Sequence, residues 1–251
     1  MCKKTTRLFL PIVIVLSISQ AAQAQNYVNN PFDPSMVMPA NYYGYDPEVF
    51  VRQLQVELSK KPSTQKDEFE TTEQFKKRLQ TLQINPPILE SAYAFSTLPT
   101  ETKYDADAGT YTFNFQPQLE SEGGQFLTIA LKDGARDMGD YEAENGFGAT
   151  FKVTRTLFYS YFLEIPKTSD LYQCSKSVKL APEDARALKP RITVLLVVRV
   201  TSPSLAETRD FTNPTFSEPH ENTKVQTKIP AAPSKILFYD RSNGNVLAAC
   251  P

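Results

Sequence analysis

One ten-residue stretch, Arg191–Val200, limits what this chain can fold into more than any other part of the sequence. It reads RITVLLVVRV, and every residue from Ile192 to Val198 is apolar or β-branched. In an extended conformation both faces of this stretch are largely apolar, which is typical of a strand covered on two sides. Its β-branched residues favour a strand over the alternative, a buried helix segment. The run is too short to cross a bilayer, which needs about 20 apolar residues.

The first 24 residues have the pattern of an export signal. Three basic residues precede an apolar core at Leu8–Ser19, and Ala22-Gln23-Ala24 has the small-x-small form of a cleavage site. A retained membrane anchor is the alternative, but the apolar core is short for a span. We therefore expect residues 1–24 to be a cleaved signal peptide, and the protein to be periplasmic or else secreted, with no transmembrane span after cleavage.

The charge balance argues against nucleic acid as a partner. The whole chain has 27 basic and 28 acidic residues, and the signal peptide removes only basic ones. Nucleic-acid binding requires a clustered basic surface. The only tight basic run, Lys76–Arg78, fits the solvated face of a helix.

Two short helices are predicted at 46–84, after a segment without helical periodicity. Residues 25–45 are rich in Asn, Pro and Tyr and predict an extended or poorly ordered leader. Asp46-Pro47 has the pattern of a helix start, and Thr71-x-x-Gln74 that of a capping box. Helices this short cannot bury their apolar residues alone, so we expect them to lie on a sheet or on each other.

The remainder, 104–251, predicts a sheet that completes a single β-rich domain over 46–251. Apolar and polar residues alternate at Thr110–Phe115 and Phe126–Leu131. Phe147–Ile165 predicts either a tight hairpin near Thr154–Thr156 or a bent strand with a bulge. The other expected elements are a short helix at Ala181–Leu188, a long surface loop at 201–223, strands at Val225–Ile229, Lys235–Asp240 and Val246–Ala249, and a two-residue hairpin turn at Asn243-Gly244. The expected class is α+β: a mainly antiparallel β-sheet packed with two N-terminal helices and one short later helix.

Two cysteines remain after the signal peptide. Cys2 belongs to that peptide, which leaves Cys174 and Cys250. A pair of cysteines in an exported chain predicts a disulfide bond, and two separate buried thiols are the alternative.

Three segments resemble uncharacterised exported bacterial proteins of the cell envelope. They are KDEFETTEQFKKRL at 66–79, DYEAENGFGATFKVT at 140–154 and KILFYDRSNGNVLA at 235–248. The resemblance implies a bacterial envelope origin and one β-rich domain with N-terminal helices. It implies no activity and no catalytic residue.

The residues that carry common catalytic chemistry are scarce. The single histidine, His220, cannot form a multi-histidine zinc site, and no nucleophile-elbow or phosphate-loop glycine pattern occurs. We predict no catalytic residue, no metal and no cofactor. Acidic residues are the exception, since five of them could form a ligand-binding or calcium loop, or serve a glycan hydrolase, with solvated turn acids as the alternative. They are Asp133, Asp137, Asp140, Glu142 and Glu144.

These observations favour an exported, non-enzymatic, envelope-associated binding or accessory protein. Its partner is expected to be another envelope protein, or a glycan bound by tyrosines such as Tyr42, Tyr43 and Tyr45. The alternatives are a carboxylate-dependent hydrolase, for example a glycan-directed one, and a structural subunit of a secreted assembly whose edge strands pair between chains.

Overall fold

The computed structural model describes residues 27–59, 66–81, 87–117, 125–167 and 173–251. The predicted signal peptide, 1–24, lies outside these ranges. The expected β-rich class with a minority of helix is confirmed. No helix within the described ranges has the length and apolar content that a bilayer span requires.

The described ranges contain three α-helices and ten strands. The helices are α1 (Pro47–Ser59), α2 (Thr72–Thr81) and α3 (Pro182–Leu188). The strands are β1 (Ala92–Thr97), β2 (Glu101–Asp105), β3 (Thr110–Phe115), β4 (Phe126–Glu144), β5 (Thr150–Pro166), β6 (Cys174–Lys179), β7 (Ile192–Val200), β8 (Ala206–Thr212), β9 (His220–Asp240) and β10 (Asn245–Cys250).

The longest strand, β9, belongs to both halves of a seven-stranded sheet. The sheet has the order β1-β7-β9-β5-β4, and β8 and β10 also pair with β9. The first half of β9, 220–230, pairs in parallel with β5 and antiparallel with β8. Its second half, 231–240, pairs antiparallel with β7 and β10. A separate antiparallel sheet has the order β2-β3-β6.

The larger sheet is mainly antiparallel, as the sequence predicted, but one parallel pair makes it mixed. The parallel pair joins β5 to β9, which are separated by β6, α3, β7 and β8. Parallel neighbours require such a long connection, because a short turn can only reverse the chain. Local sequence patterns carry no information about which distant strand becomes the neighbour.

The central strand β7 is covered on both faces, as its sequence predicted. All of its residues except Arg199 are buried. Val194 and Leu196 belong to the main apolar core together with Phe50 of α1. On the opposite face Leu195 belongs to a second apolar cluster, in which residues from the segment 27–45, such as Tyr42, pack against the sheet. The second face of β7 is therefore covered by the segment 27–45, which contains no helix.

The predicted starts of α1 and α2 are confirmed. The Asp46 carboxylate accepts a hydrogen bond from the Glu48 N–H at 2.8 Å, so Asp46 is the N-cap of α1. In α2 the Thr71 N–H donates to Gln74 Oε1 at 2.8 Å, and the Gln74 N–H donates to Thr71 Oγ1 at 3.2 Å. This reciprocal pair is the capping box.

The strands after residue 125 differ in extent from the prediction. β4 continues to Glu144, and of the two alternatives for 147–165 the single strand is observed as β5, with a register shift in β4 opposite Thr154–Thr156, because the chain reverses at 145–149. The segment 201–223 contains β8, and β9 unites the two strands predicted at 225–229 and 235–240. The outer part of β4 and all of β8 escaped prediction because their side chains are mostly solvated, so they lack the apolar alternation that marks a half-buried strand.

The C-terminal hairpin and the cysteine pair are present. β9 and β10 pair as predicted around Asn243-Gly244, although the turn contains four residues, 241–244, rather than two. Cys174 of β6 and Cys250 of β10 form a disulfide bond with an S–S distance of 2.03 Å. This bond links the three-stranded sheet to the seven-stranded sheet.

Candidate functional site

One part of the larger sheet is solvated on both faces, and we call it the single-layer sheet. It consists of 133–144 of β4, 150–162 of β5, 206–212 of β8 and 220–228 of β9. Within these ranges only Val153 and Thr227 are buried. In β7, by contrast, only Arg199 is exposed. The single-layer sheet is therefore held by its backbone hydrogen bonds and cross-strand contacts rather than by packing between two layers.

Large apolar side chains are exposed on both faces of the single-layer sheet. The registers of β4, β5, β8 and β9 place Tyr141 and Phe211 on one face and Phe158 on the other. Phe211 is 57% exposed and Phe158 41%. At the end of this sheet, Phe147 in the turn between β4 and β5 is 99% exposed. Because these side chains are separated from one another, they indicate an interaction surface only together with the edges of the sheet.

Both edges of the single-layer sheet are unpaired among the described strands. β4 pairs only with β5 there, and β8 pairs only with β9. All seven residues of β8 are exposed. An edge strand presents a row of unpaired N–H and C=O groups, which can pair with a strand from another chain.

The five predicted acidic candidates lie on β4 and not in a loop. From Asp133 to Glu144 the strand extends over roughly 35 Å at about 3.3 Å per residue, so the structure does not bring the five carboxylates together. Asp140 forms an ion pair with Lys152 at 2.6 Å, and hydrogen bonds from Lys152 and then Thr154 lower the pKa of Asp140. Across the described part of the chain no three such side chains form a group that could hold a metal ion.

A second candidate surface is a cleft of about 300 Å³, which we call the tyrosine cleft. Its lining includes Tyr27, Tyr43, Lys132, Asp133 and Arg241. The rings of Tyr27 and Tyr43 are neighbours, with centroids 5.6 Å apart. The Arg241 guanidinium lies 5.5 Å from the centre of the Tyr43 ring, and Arg241 Nη1 donates to the Tyr43 hydroxyl at 2.5 Å.

Lys132 joins the tyrosine cleft to the start of α1. Lys132 Nζ lies 5.8 Å from the centre of the Tyr27 ring, 2.8 Å from Asp46 Oδ2 and 3.4 Å from Glu48 Oε2. Burial lowers the pKa of Lys132, but hydrogen bonding and charge from Asp46, and then from Glu48, outweigh burial, so the pKa is raised overall. The Lys132 charge is therefore already balanced by protein carboxylates. Of the described ion pairs, none includes Arg241.

Only one of the three tyrosines predicted to form a binding strip is partly exposed. Tyr42 is 2% exposed and Tyr45 is 3% exposed, and Tyr45 packs against Phe50 and Tyr93 in the main core. Tyr43 is the one that contributes an accessible ring to the tyrosine cleft. Simple alternation does not explain the difference: Tyr42 packs in the second apolar cluster and Tyr45 in the main core, and Gly44 between Tyr43 and Tyr45 has a φ of +70° that interrupts the extended conformation.

Sequence reasoning did not find the single-layer sheet or the edge strand β8. The available signal was weak: Thr208, Asp210 and Thr212 alternate with Arg209 and Phe211, and Thr and Phe have high strand propensity.

Comparison with protein families, with curated proteins and with solved structures finds no match.

Proposed function

We propose that this protein is an exported, non-enzymatic accessory protein of the bacterial envelope, and that it binds a protein partner through the single-layer sheet. One observation carries the proposal: the sheet exposes apolar side chains on two faces and, among the described strands, has an unpaired strand at each edge. Exposed apolar side chains are unfavourable in water, and the unpaired N–H and C=O groups of an edge strand can pair with another polypeptide.

Periplasmic location is part of the proposal. It is supported by the signal-peptide pattern of residues 1–24 and by the Cys174–Cys250 bond, because disulfides persist in oxidising compartments such as the periplasm. The resemblance of three segments to uncharacterised exported bacterial proteins agrees with it. Fractionation of the producing cells, with the protein found only in the cytosol, would contradict this part.

The hydrolase alternative receives no support from the arrangement of carboxylates. Acids two residues apart on β4, such as Asp140 and Glu142, are separated by about 6.6 Å, which is within the range of about 5–9.5 Å for catalytic pairs, but both side chains are exposed on the surface of the sheet. Asp140 is held in an ion pair on the surface. The faces of the single-layer sheet also lack the enclosed shape in which catalysis by carboxylates usually occurs.

Site-specific photo-crosslinking in the producing bacterium tests the proposal. A photoreactive residue at Phe211 or at Phe158 is expected to give a discrete protein adduct that mass spectrometry can identify. Phe69, which is 88% exposed but lies in the segment before α2, is the control position. Adducts that are absent, or that are the same at Phe69 as at Phe211, would show that the sheet is not the binding surface.

A second candidate function is glycan binding in the tyrosine cleft. The specific observation is the pair of neighbouring rings, Tyr27 and Tyr43, beside Arg241 and Asp133. Aromatic faces next to hydrogen-bonding charged groups suit a hydroxyl-rich ring. A glycan array followed by calorimetric titration tests this, with Tyr43→Ala expected to lose binding and Tyr141→Ala, on the single-layer sheet, expected to retain it. Retained binding by Tyr43→Ala would reject the cleft.

A further inference from the structure

The sequence of the edge strand β8 is complementary to itself. β8 reads AETRDFT, and its outer edge is unpaired among the described strands. When two identical edge strands meet around a two-fold axis perpendicular to the sheet, they run antiparallel and the residue pairs are symmetric about one central residue. The identity of the central residue then decides which side chains face each other.

Charge excludes three of the five registers that are centred on residues 207–211 of β8. A centre at Glu207, Arg209 or Asp210 places that charged residue directly opposite its own copy, and like charges opposite each other are destabilising. A centre at Thr208 places threonine opposite threonine. Arg209 Nε lies 2.6 Å from Glu207 Oε1 within one chain, and this centre also places each of the two opposite its counter-charge in the partner, twice because of the symmetry. A centre at Phe211 is free of like-charge pairs as well, but it overlaps only residues 210–212 of the two strands, whereas a centre at Thr208 overlaps residues 206–210.

The flanking residues meet no like charge in the same register. Phe211 then lies just beyond the paired residues, level with the partner's Leu205, which precedes β8 and packs against the main core. Phe211 is 57% exposed in the single chain. On the other face Asp210 lies opposite the partner's Ala206, so the Asp210 carboxylate meets no second acid.

We propose that the partner bound by the single-layer sheet is a second copy of this chain, through antiparallel pairing of β8 with β8 centred on Thr208. This inference rests on the proposed function and names its partner. The two copies form one continuous sheet in the order β4-β5-β9-β8-β8-β9-β5-β4. Edge pairing over residues 206–210 buries less than the roughly 1,200 Å² of a standard interface, so the dimer is expected to dissociate on dilution.

Charge reversal tests the register. Sedimentation velocity of Glu207→Arg and of Arg209→Glu is expected to show a dimer dissociation constant about tenfold or more above that of the unmodified protein, since each change creates two like-charge pairs. The double variant Glu207→Arg/Arg209→Glu is expected to restore dimerisation. Both residues are exposed, and circular dichroism verifies that each variant is folded. A protein that is monomeric at every concentration, or a dimer indifferent to both reversals, overturns the inference.

A cysteine scan gives an independent readout of the same geometry. In the proposed register the two Thr208 Cα atoms are about 4.5–5.5 Å apart, within the range of a disulfide. The two Asp210 Cα atoms are displaced along the strands by about 13 Å, four residues at about 3.3 Å each. Under mild oxidation Thr208→Cys is therefore expected to give a covalent dimer and Asp210→Cys to remain monomeric. Equal or faster crosslinking at Asp210→Cys contradicts the register.

The results also separate this inference from the proposed function. If the purified protein is monomeric but a photoreactive residue at Phe211 forms an adduct with a different protein, pairing of two copies is excluded and the proposed function stands. If Phe211 and Phe158 form no specific adduct and the purified protein is monomeric, both are rejected.

Discussion

Glycine is required at position 244 for two reasons: the backbone conformation there and the close approach of another backbone segment. Its φ of +76° is in the left-handed region, and a Cβ atom added there would lie 1.9 Å from the carbonyl oxygen of Met38. Gly244→Ala is expected to lower the free energy of unfolding by at least about 2 kcal/mol, since the strain of the left-handed conformation is joined by a clash with backbone. Denaturant unfolding monitored by circular dichroism measures this.

Gly139 provides the matched control for that substitution. Its φ is +82°, but an added Cβ would meet no atom within 4 Å. Gly139→Ala is expected to cost only the conformational strain, about 1 kcal/mol. Equal losses in the two variants would show that the contact between the hairpin turn and the segment 27–45 contributes nothing.

The raised pKa of a buried tyrosine determines how the stability of the fold changes at alkaline pH. Burial raises the pKa of Tyr239 to about 12, and the Tyr239 hydroxyl donates a hydrogen bond to the carbonyl oxygen of Tyr42. Burial also raises the pKa of Tyr42 to about 12. The folded state therefore favours the neutral phenols, whose pKa in an unfolded chain is about 10. The resulting stability is complete below about pH 10 and is lost as the pH rises through about 12.

Tyr239→Phe separates this contribution from other alkaline effects. At pH 7 the variant is expected to be about 1 kcal/mol less stable, because the Tyr42 carbonyl loses its hydrogen bond. Between pH 10 and 12 its unfolding free energy is expected to fall less steeply than that of the unmodified protein, so the difference narrows. Parallel curves over this interval would contradict the assignment.

The role of a single residue could be predicted from the sequence where its hydrogen-bond partner lies within a few residues. The caps at Asp46 and Thr71 and the Asn243-Gly244 turn could be predicted because each uses backbone groups within a few residues. Tyr42 and Tyr45 could not be assigned, because their burial depends on β7 and β1, which follow much later in the chain.

At the scale of elements, one ion-pair cluster fixes the start of α1 against β4. The side chains of Lys132 and Asp46 are 22% and 13% exposed, so their pairing is only partly solvated. Lys132→Ala is expected to lower the free energy of unfolding by about 1–2 kcal/mol, because Asp46 and Glu48 lose a shared cation in a partly buried position.

Lys152 is the control for Lys132, since it also pairs with an aspartate, in this case Asp140 of β4. The Lys152–Asp140 pair is much more exposed, at 70% and 36% for the two side chains. Lys152→Ala is expected to change the unfolding free energy by less than about 0.5 kcal/mol, as is usual for surface pairs. Thermal unfolding of both variants at low and high salt measures the contrast. A larger loss for Lys152→Ala would contradict it.

The disulfide acts between elements, because it joins β6 of the small sheet to β10 of the large one. Cys174 and Cys250 are separated by 76 residues. Replacing both with alanine is expected to remove about 2–4 kcal/mol of stability, mainly by releasing the unfolded chain from a long loop. Unfolding midpoints with and without reductant measure this for the unmodified protein, and the double variant must not respond to reductant. An unmodified protein with equal midpoints would refute the expectation.

Strands with an apolar face could be predicted from the sequence, and solvated strands could not. β3 and β7 carry strong patterns because their side chains enter the core. The outer part of β4 and all of β8 are strands because β5 and β9 satisfy their backbone groups, and this information lies outside their own sequences. The single-layer sheet was therefore the part of the candidate site least accessible to sequence analysis.

At the scale of the whole molecule, β9 joins two regions of different stability. Its second half lies in the core beside β7, where Ile236 and Phe238 are fully buried. Its first half lies in the single-layer sheet, where its hydrogen bonds are near solvent on both faces. Opening of backbone hydrogen bonds follows such differences in burial, and regions that bind partners usually lie at the less stable end.

Hydrogen exchange therefore connects the fold to the proposed assembly. In dilute protein the amides of β8 are expected to exchange quickly, and those of β7 slowly, because β8 is exposed at every position whereas β7 is buried. At high protein concentration β8 is expected to gain protection as its outer edge pairs, while β7 serves as an internal reference that does not change. Glu207→Arg is expected to abolish this dependence on concentration. Protection of β8 that is equal at all concentrations would show that its outer edge stays unpaired.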